Sequence, residues 1–164
     1  MIDFHSHILA HMDHGARRTA TSLAQLDTIY KAGVGAVCAS SHFYPQQVLP
    51  ETFLRARAQW LDHVIRHMED NPRPAIIPSA EVLICEGMEE LEGLSDLCVE
   101  GTNVLLLEMP FTQEHWNNRL YNTVAEIGAL GINPVLAHVD RYPKKLIEPL
   151  FEMGSTGQLN ASSL

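Results

Sequence analysis

Short apolar segments alternate with helix-like segments along the whole chain, and this alternation limits the fold more than any other feature of the sequence. The predicted strands are the first seven residues and residues 34–40, 75–84, 103–109, 132–139 and 157–161. The predicted helices are residues 22–32, 51–69, 113–130 and 143–153, with a shorter one at 87–94. Such an α/β alternation predicts a parallel sheet with crossover helices, either open or closed into a barrel.

The boundaries of the first predicted helix follow from local chemistry. The S-L-A-Q sequence fits a capping box, so we expect the helix to begin at Ser22. Gly33 follows the last helical position and suits a helix stop, because glycine readily adopts the left-handed backbone conformation found there.

Size and charge limit the classes of protein to which the chain can belong. A chain of 164 residues can bury one core, so we expect a single domain over residues 1–164. No apolar run is long enough to cross a bilayer, so we expect no membrane insertion. The chain shows no signal-peptide pattern, and its three cysteines form no C-x-x-C pair. Both observations predict a cytoplasmic protein with reduced thiols. The net charge of −9 disfavours nucleic-acid binding but allows an anionic substrate, because bound cations can dominate the local field.

Residues of metal-binding types stand at the carboxyl ends of the predicted strands. The carboxyl ends of parallel strands meet at one edge, where α/β enzymes build their sites. A lone glutamate or histidine at such a position would be unremarkable, whereas a set of them predicts one shared site. The set comprises His5, His7, His42, Glu81, Glu108 and His138, and Arg141 follows the fifth strand.

The types of donor in this set favour transition-metal ions. In an extended segment Asp3, His5 and His7 lie on the same face. The two histidines can bind one metal ion, and the Asp3 carboxylate beside them can fix the tautomer of an imidazole. Imidazoles mixed with carboxylates suit manganese, iron or zinc. The ligands outnumber those of one tetrahedral ion, so we expect two or three ions bridged by a carboxylate such as Glu81, with a bridging water as nucleophile.

Other hydrolytic nucleophiles lack their motifs in this chain. No cysteine is followed six residues later by arginine, and neither G-x-S-x-G nor G-x-x-x-x-G-K-[ST] occurs. Metal-activated water is therefore the remaining nucleophile.

In their order along the chain, the motifs resemble the PHP (polymerase and histidinol phosphatase) superfamily. They are similar in particular to the bacterial manganese-dependent protein-tyrosine phosphatases linked to capsule and exopolysaccharide synthesis. The resemblance runs in one register from Met1 to Leu164. The motifs are I-D-F-H-S-H-I-L, D-H-G, S-S-H-F, A-E-V-L, L-L-L-E-M-P-F, P-V-L-A-H-V-D-R-Y and Q-L-N-A-S-S-L.

The resemblance implies a PHP-type distorted (β/α) barrel that hydrolyses phosphotyrosine in proteins through a metal-bound water. It implies Mn²⁺ as the cofactor, with iron or zinc as alternatives, and a bacterial tyrosine kinase of capsule synthesis as the protein partner. Arg141 is the implied catalytic group that binds phosphate. Phe111, His115 and Trp116 are candidates for an aromatic wall around the tyrosyl ring, although aromatic residues at a helix start are more often part of the core. The six metal-type residues named above are the implied ligands.

Two departures from the family pattern qualify this expectation. Where the family has D-D-G, this chain has Asp13, His14 and Gly15, so His14 stands at a ligand position and Asp13 is an alternative ligand. A terminal D-x-H motif is absent, and about six strands are predicted where a complete barrel has about eight. We therefore expect a barrel that is incomplete at the C-terminus, with an open sheet edge through which the chain self-associates, or else part of a longer product.

Other functions stay open at this point. The chain could be another PHP-type phosphomonoesterase such as a histidinol phosphatase, or a non-catalytic truncated remnant that binds metal. An amidohydrolase or metal-dependent deoxyribonuclease also begins with D-x-H-x-H, but the later order of His, Glu, Glu and His with a following arginine differs from the usual amidohydrolase pattern.

Overall fold

The computed structural model describes residues 1–68 and 71–160, and its strands and helices alternate as predicted. The strands in these ranges are β1 (Ile2–Ser6), β2 (Ala36–Ala39), β3 (His42–Phe43), β4 (Ala75–Pro78), β5 (Glu81–Leu83), β6 (Val104–Glu108), β7 (Asn133–Leu136) and β8 (Thr156–Gly157). The α-helices are α1 (Thr19–Lys31), α2 (Pro50–Arg66), α3 (Asn118–Ala129) and α4 (Lys144–Glu152). Single 3₁₀ turns occupy Met88–Glu90, Leu94–Leu97, Gln113–His115 and Val139–Arg141.

Every strand pairing in the described ranges is parallel. One sheet has the order β1-β2-β4 and the other the order β3-β5-β6-β7-β8. Two chain segments run from the first sheet into the second. Ser40 and Ser41 separate β2 from β3, and Ser79 and Ala80 separate β4 from β5. Backbone hydrogen bonds bridge these breaks, including Ser79 N–H to Ala39 O at 3.2 Å and Glu81 N–H to Ser41 O at 3.1 Å.

The predicted parallel α/β fold is confirmed, with the second and third predicted strands each divided in two. No pairing joins β1 to β8 among residues 1–68 and 71–160, so the barrel and the self-association through an open edge stay predictions. No helix in these ranges is both long and apolar enough to cross a membrane.

Apolar side chains cover both faces of the strands. Leu105 and Leu107 of β6 pack with Val124 and Ile127 of α3 in the largest core cluster. The intervening residue Leu106 points to the other face, where it joins a separate cluster. That cluster contains Val135 and Ala137, with Phe4 of β1 packed against it. Burial on both faces explains why the strands read as continuous apolar runs rather than alternating ones.

Two helix starts differ from the predictions. The capping box at Ser22 is wrong, because α1 begins at Thr19 and Ser22 is buried inside the helix. The predicted helix over 113–130 begins as a 3₁₀ turn, and α3 then starts after Asn117, whose side chain accepts a hydrogen bond from Leu120 N–H at 2.9 Å. The expected stop at Gly33 is confirmed, since this residue has φ of +86° and ends α1.

The outer ends of two other elements fall on residues outside the described ranges. The second predicted helix extends to Glu69, but α2 ends at Arg66 and His67 is its C-cap, so the prediction is wrong for residues 67–68. The sixth predicted strand extends to Ala161, but β8 spans Thr156–Gly157, so the prediction is wrong for residues 158–160.

Candidate functional site

The carboxyl ends of the strands open into a cavity of about 550 Å³. Parallel register pairs His42 with Glu81, the first residues of β3 and β5, and Leu83 with Glu108, the last residues of β5 and β6. The six predicted ligands at the strand ends and His14 lie on its wall together with Arg141, whereas the alternative ligand Asp13 does not line it. The lining residues are His5, His7, His14, His42, Tyr44, Glu81, Leu83, Glu108, Phe111, His138, Arg141 and Asn160.

Glu81 lies at the centre of this site, with only 1% of its surface exposed. Four imidazoles surround its carboxylate. Oε2 is 3.0 Å from His5 Nε2, 3.1 Å from His7 Nε2 and 3.1 Å from His42 Nδ1, and Oε1 is 2.8 Å from His138 Nε2. The histidines therefore share one carboxylate rather than forming separate pairs.

Glu108 supplies a second buried carboxylate next to the first. Its Oε2 is 3.5 Å from His42 Nδ1, and its Oε1 is 3.5 Å from His138 Nε2. Among the described residues, two groups of three have ligand atoms close enough to hold a metal ion, and Glu81 belongs to both. One group adds His5 and His7, and the other adds His42 and Glu108. This sharing is the arrangement expected of a bridging carboxylate.

Gln158, a residue that the sequence reasoning did not select, determines the tautomer of His5. Its Oε1 accepts the backbone N–H of His138 at 2.7 Å, and its amide nitrogen donates to Leu159 O at 2.7 Å, so the orientation of the amide is determined. The same Oε1 is 3.2 Å from His5 Nδ1. Because this oxygen can only accept, neutral His5 carries its proton on Nδ1 and directs the lone pair of Nε2 at Glu81.

Asp13 determines the tautomer of His7 in the same way. Its Oδ2 is 2.8 Å from His7 Nδ1 and also accepts the backbone N–H of His42 at 3.0 Å, and Oδ1 accepts Gly15 N–H at 2.9 Å. Burial raises the pKa of Asp13, but the hydrogen bonds from His7 and Gly15 outweigh it and lower the pKa to about 2. Asp13 is therefore ionised at neutral pH and leaves His7 Nε2 as the nitrogen that faces Glu81.

The contacts between the imidazole nitrogens and the Glu81 carboxylate fit a cation bound among them. With neutral rings, the lone pairs of His5 Nε2 and His7 Nε2 face the same carboxylate oxygen of Glu81, which is repulsive unless positive charge lies between them. Ligand atoms bound at about 2.1 Å to one ion stand about 3.0–3.4 Å apart, which matches these contacts. The buried atoms His5 Nε2 and His42 Nδ1 have no hydrogen-bond partner among residues 1–68 and 71–160. The site therefore has the donors and spacing of a transition-metal centre.

The pKa values show how strongly the site attracts positive charge. Burial lowers the pKa of His7, but its hydrogen bonds with Asp13 and Glu81 outweigh burial and raise it to about 9. Burial also lowers the pKa of His138, and hydrogen bonds with Glu108 and Glu81 raise it to about 9. Burial raises the pKa of Glu81, yet the hydrogen bond from His138 and the close imidazoles of His5 and His7 hold it well below its usual range.

The structure places two of the predicted residues at the margin of the cluster. His14 is exposed, with ring centroids 5.4 Å from His7 and 4.9 Å from His42, and it belongs to neither three-residue group in the described chain. Asp3 accepts the backbone N–H of His5 at 3.3 Å and does not line the cavity. Their predicted roles as ligand or supporting carboxylate stay predictions.

Arg141 lies at the exposed rim of the cavity, in the 3₁₀ turn after β7. The adjacent Asp140 accepts hydrogen bonds from both the backbone and the side-chain nitrogen of Asn160 at 3.0 Å, which joins the segments after β7 and β8. His138 begins this turn with φ of +34°, an uncommon backbone conformation for a residue with a side chain. The turn therefore links a buried imidazole directly to an exposed guanidinium.

The three aromatic residues predicted after the fourth strand separate in the structure. Phe111 lines the cavity, with its ring stacked on His138 at a centroid distance of 5.8 Å. Trp116 packs against the main core, and its Nε1 donates to Pro110 O at 2.7 Å. His115 lines a neighbouring cavity.

Sequence reasoning missed Gln158, Tyr44 and Leu83 at this site. Gln158 lies within the sixth predicted strand and, in the structure, directly follows β8. The available signal was its place in the Q-L-N-A-S-S-L motif. Tyr44 and Leu83 lie beyond β3 and at the end of β5, but nothing in their residue type distinguishes them from core residues.

We expect Gln158→Ala to weaken Mn²⁺ and Zn²⁺ binding by about 10–100-fold, because His5 loses the acceptor that orients its ring. Calorimetric titration of metal-depleted protein measures the change. Exposed Gln25 on α1 provides a control, and Gln25→Ala should bind like the wild type. Equal affinities in the two variants would contradict the role of Gln158.

Gly15→Ala tests the close packing around His7. An added Cβ would overlap with both Cβ and the carbonyl oxygen of His7 and would stand 3.1 Å from Asp13 Oδ1. We expect a loss of about 1–3 kcal/mol in the free energy of unfolding, measured by urea denaturation, together with weaker Mn²⁺ binding. Gly128→Ala in α3 meets nothing within 4 Å and should stabilise the chain by about 0.5–1 kcal/mol. An unchanged urea midpoint for Gly15→Ala would refute this packing argument.

Comparison with known proteins places these features in a family. The family model described as capsular polysaccharide synthesis, CpsB/CapC, matches residues 1–164. The tyrosine-protein phosphatase CpsB of Streptococcus pneumoniae is 28% identical over 173 residues, which cover 98% of this chain and 68% of that protein. The tyrosine-protein phosphatase YwqE of Bacillus subtilis (strain 168) is 28% identical over 174 residues, covering 100% of this chain and 66% of that protein.

Solved structures agree with the sequence relatives. This chain matches a structure from the work on YwqE of Bacillus subtilis and CpsB of Streptococcus pneumoniae, described there as unique metal-dependent tyrosine phosphatases. The TM-score is 0.82 at 27% identity, and the match covers 100% of this chain and 68% of that chain. The predicted relationship to the capsule-linked phosphatases is confirmed, and membership of the PHP superfamily is consistent with it. The chain belongs to the CpsB/CapC family of capsular polysaccharide synthesis proteins.

Proposed function

We propose that this chain is a metal-dependent protein-tyrosine phosphatase that removes phosphate from tyrosine residues of a capsule-synthesis protein. The observation that carries the proposal is the convergence of four imidazoles on buried Glu81, with Arg141 at the open rim. The related CpsB and YwqE proteins are named tyrosine-protein phosphatases, which supports the same reaction class for this chain.

The cluster residues would hold the metal. His5, His7 and Glu81 would hold one ion, and His42 and Glu108 would hold a second together with the same Glu81. Gln158 and Asp13 contact the Nδ1 atoms of His5 and His7, so that in the neutral rings the Nε2 lone pairs face Glu81. We propose Mn²⁺, with iron or zinc as alternatives, because imidazole and carboxylate donors suit all three. When bound, the metal supplies Lewis-acid polarisation of phosphoryl oxygens and lowers the pKa of water.

Arg141 binds the phosphate in this proposal. A guanidinium stays charged at all working pH values, and its planar fork matches two phosphate oxygens. The turn that carries it begins at His138, so phosphate bound by Arg141 lies beside the metal cluster. Its exposed position allows a phosphorylated side chain on another protein to enter from solvent.

The proposed partner is the phosphotyrosine-bearing segment of a bacterial tyrosine kinase, and the proposed location is the cytoplasm, where ATP-dependent tyrosine phosphorylation takes place. Free thiols at Cys38, Cys85 and Cys98 are compatible with that compartment. Histidinol phosphate would meet the same cluster and arginine, so comparing kcat/KM for histidinol phosphate and for a phosphotyrosine peptide separates the two substrate classes. A preference for histidinol phosphate would reject the proposed substrate.

Glu81→Gln is expected to lower Mn²⁺-dependent hydrolysis of a phosphotyrosine peptide at least about a hundredfold, because the amide removes the charge shared by both metal groups. Phosphate release in a steady-state assay measures the loss. Glu152→Gln on the exposed face of α4 is the matched control and should retain full activity. Undiminished turnover by Glu81→Gln would refute the proposed metal centre. A wild type that binds Mn²⁺ without turnover would favour a non-catalytic metal-binding protein.

Arg141→Ala is expected to lower kcat/KM for the phosphotyrosine peptide by about 10²–10³-fold, because a charge-stabilising donor is removed. Arg141→Lys should recover only part of this loss, since lysine restores the charge without the planar fork. Arg66→Ala, which removes an exposed guanidinium paired with Asp62 on α2, should leave the kinetics unchanged. Wild-type kinetics for Arg141→Ala would exclude phosphate binding by this residue.

A further inference from the structure

A second cavity of about 350 Å³ opens beside the metal cavity, and the two share Tyr44, Leu83 and Phe111. We propose that this second cavity, the aryl slot, receives the ring of an aromatic phosphomonoester while the phosphate reaches the metal cluster. This inference rests on the proposed phosphatase function and adds the residues that select the substrate. The lining residues are Tyr44, Pro45, Gln46, Gln47, Leu83, Ile84, Cys85, Pro110, Phe111, Thr112 and His115.

Strand order explains why the aryl slot begins directly at the metal cluster. In the sheet, β5 lies between β3 and β6, so Leu83 at the end of β5 is flanked by the segments that follow the other two strands. Tyr44 follows β3, and Phe111 lies three residues beyond Glu108, the last residue of β6. Because Leu83 pairs in register with Glu108, the floor of the slot adjoins a candidate ligand carboxylate.

The two aromatic rings extend the imidazole cluster outward. Tyr44 stacks on His42 with ring centroids 5.4 Å apart and planes inclined by 18°. Phe111 stacks on His138 with centroids 5.8 Å apart, also at 18°. The Phe111 side of the slot is open, since 58% of this large apolar residue is exposed. A ligand ring packed there would cover apolar surface that water now contacts.

The chemistry of the two cavities differs sharply. The metal cavity is lined by imidazoles, two carboxylates and a guanidinium, whereas the residues that line the aryl slot include no Asp, Glu, Lys or Arg within the described ranges. A ligand that spans both cavities therefore has an anionic head and an uncharged, apolar body. Phosphotyrosine has this form, whereas the short methylene of phosphoserine would leave the slot empty. Tyr44, Leu83 and Phe111 are accordingly assigned as specificity-determining residues.

Binding of two phosphonates to the Mn²⁺-loaded protein distinguishes the contribution of the anionic group to affinity from that of the aromatic ring. Phenylphosphonate and methylphosphonate carry the same anionic group, so the ratio of their dissociation constants, measured by calorimetry, reports the slot alone. We expect the wild type to bind phenylphosphonate about tenfold more tightly or better. Phe111→Ala should reduce this preference to about threefold or less, since the ratio cancels any change in affinity that both phosphonates share.

Two further variants test the aryl slot: one fills it with a larger side chain, and the other removes an apolar side chain elsewhere on the surface. Gln46 is exposed on the slot wall, so Gln46→Trp should occupy the slot and weaken phenylphosphonate binding without affecting methylphosphonate. Leu130, 59% exposed just after α3, loses a comparable apolar surface in Leu130→Ala and should keep the wild-type preference. The kcat/KM ratio of phosphotyrosine to phosphoserine should follow the same order among the variants.

The outcomes separate this proposal from the one on which it rests. A wild type without preference for phenylphosphonate, or a preference that survives in both Phe111→Ala and Gln46→Trp, overturns the aryl slot while leaving phosphatase activity intact. If neither phosphonate binds and phosphotyrosine is not hydrolysed, the phosphatase function fails and the aryl slot fails with it.

Discussion

The structure depends on one buried carboxylate. Glu81 is almost completely removed from solvent and is surrounded by four imidazoles and a second buried carboxylate. An isolated carboxylate in such a place would be unfavourable by several kcal/mol, so it requires positive charge nearby. Protons on the imidazoles or a metal ion supply that charge. A metal ion held here would couple its binding to folding, because the same side-chain atoms would serve both.

The fold assembles the cluster by ending parallel strands at one edge. Leu105, Leu106 and Leu107 bury β6 on both faces, which leaves Glu108 at the strand end as its first residue with an ionisable side chain. The neighbouring strand β5 begins at Glu81, so its carboxylate lies further back than that of Glu108. This stagger lets Glu81 serve both three-residue groups, while Glu108 contributes to one.

Residues outside the cluster decide which form the ligands take. Gln158 and Asp13 each bind the Nδ1 side of a histidine, so the Nε2 atoms of His5 and His7 face the carboxylate. Gln158 also holds the backbone of His138 through the same oxygen. One amide therefore connects β1 with the segment that follows β7, without any strand pairing between β1 and β8 in the described ranges.

The sequence by itself determined the parallel α/β order and the six residues at the strand ends, because apolar periodicity and residue type are local properties of the chain. It also carried the family relationship, through motifs in one register. Local rules failed at Ser22, where tertiary burial overrode a capping pattern. Only the tertiary structure decided that Glu81 is the shared carboxylate, that Gln158 orients His5, and that Tyr44 and Phe111 flank an apolar slot. These depend on register and side-chain direction between segments far apart in the chain, which no local pattern contains.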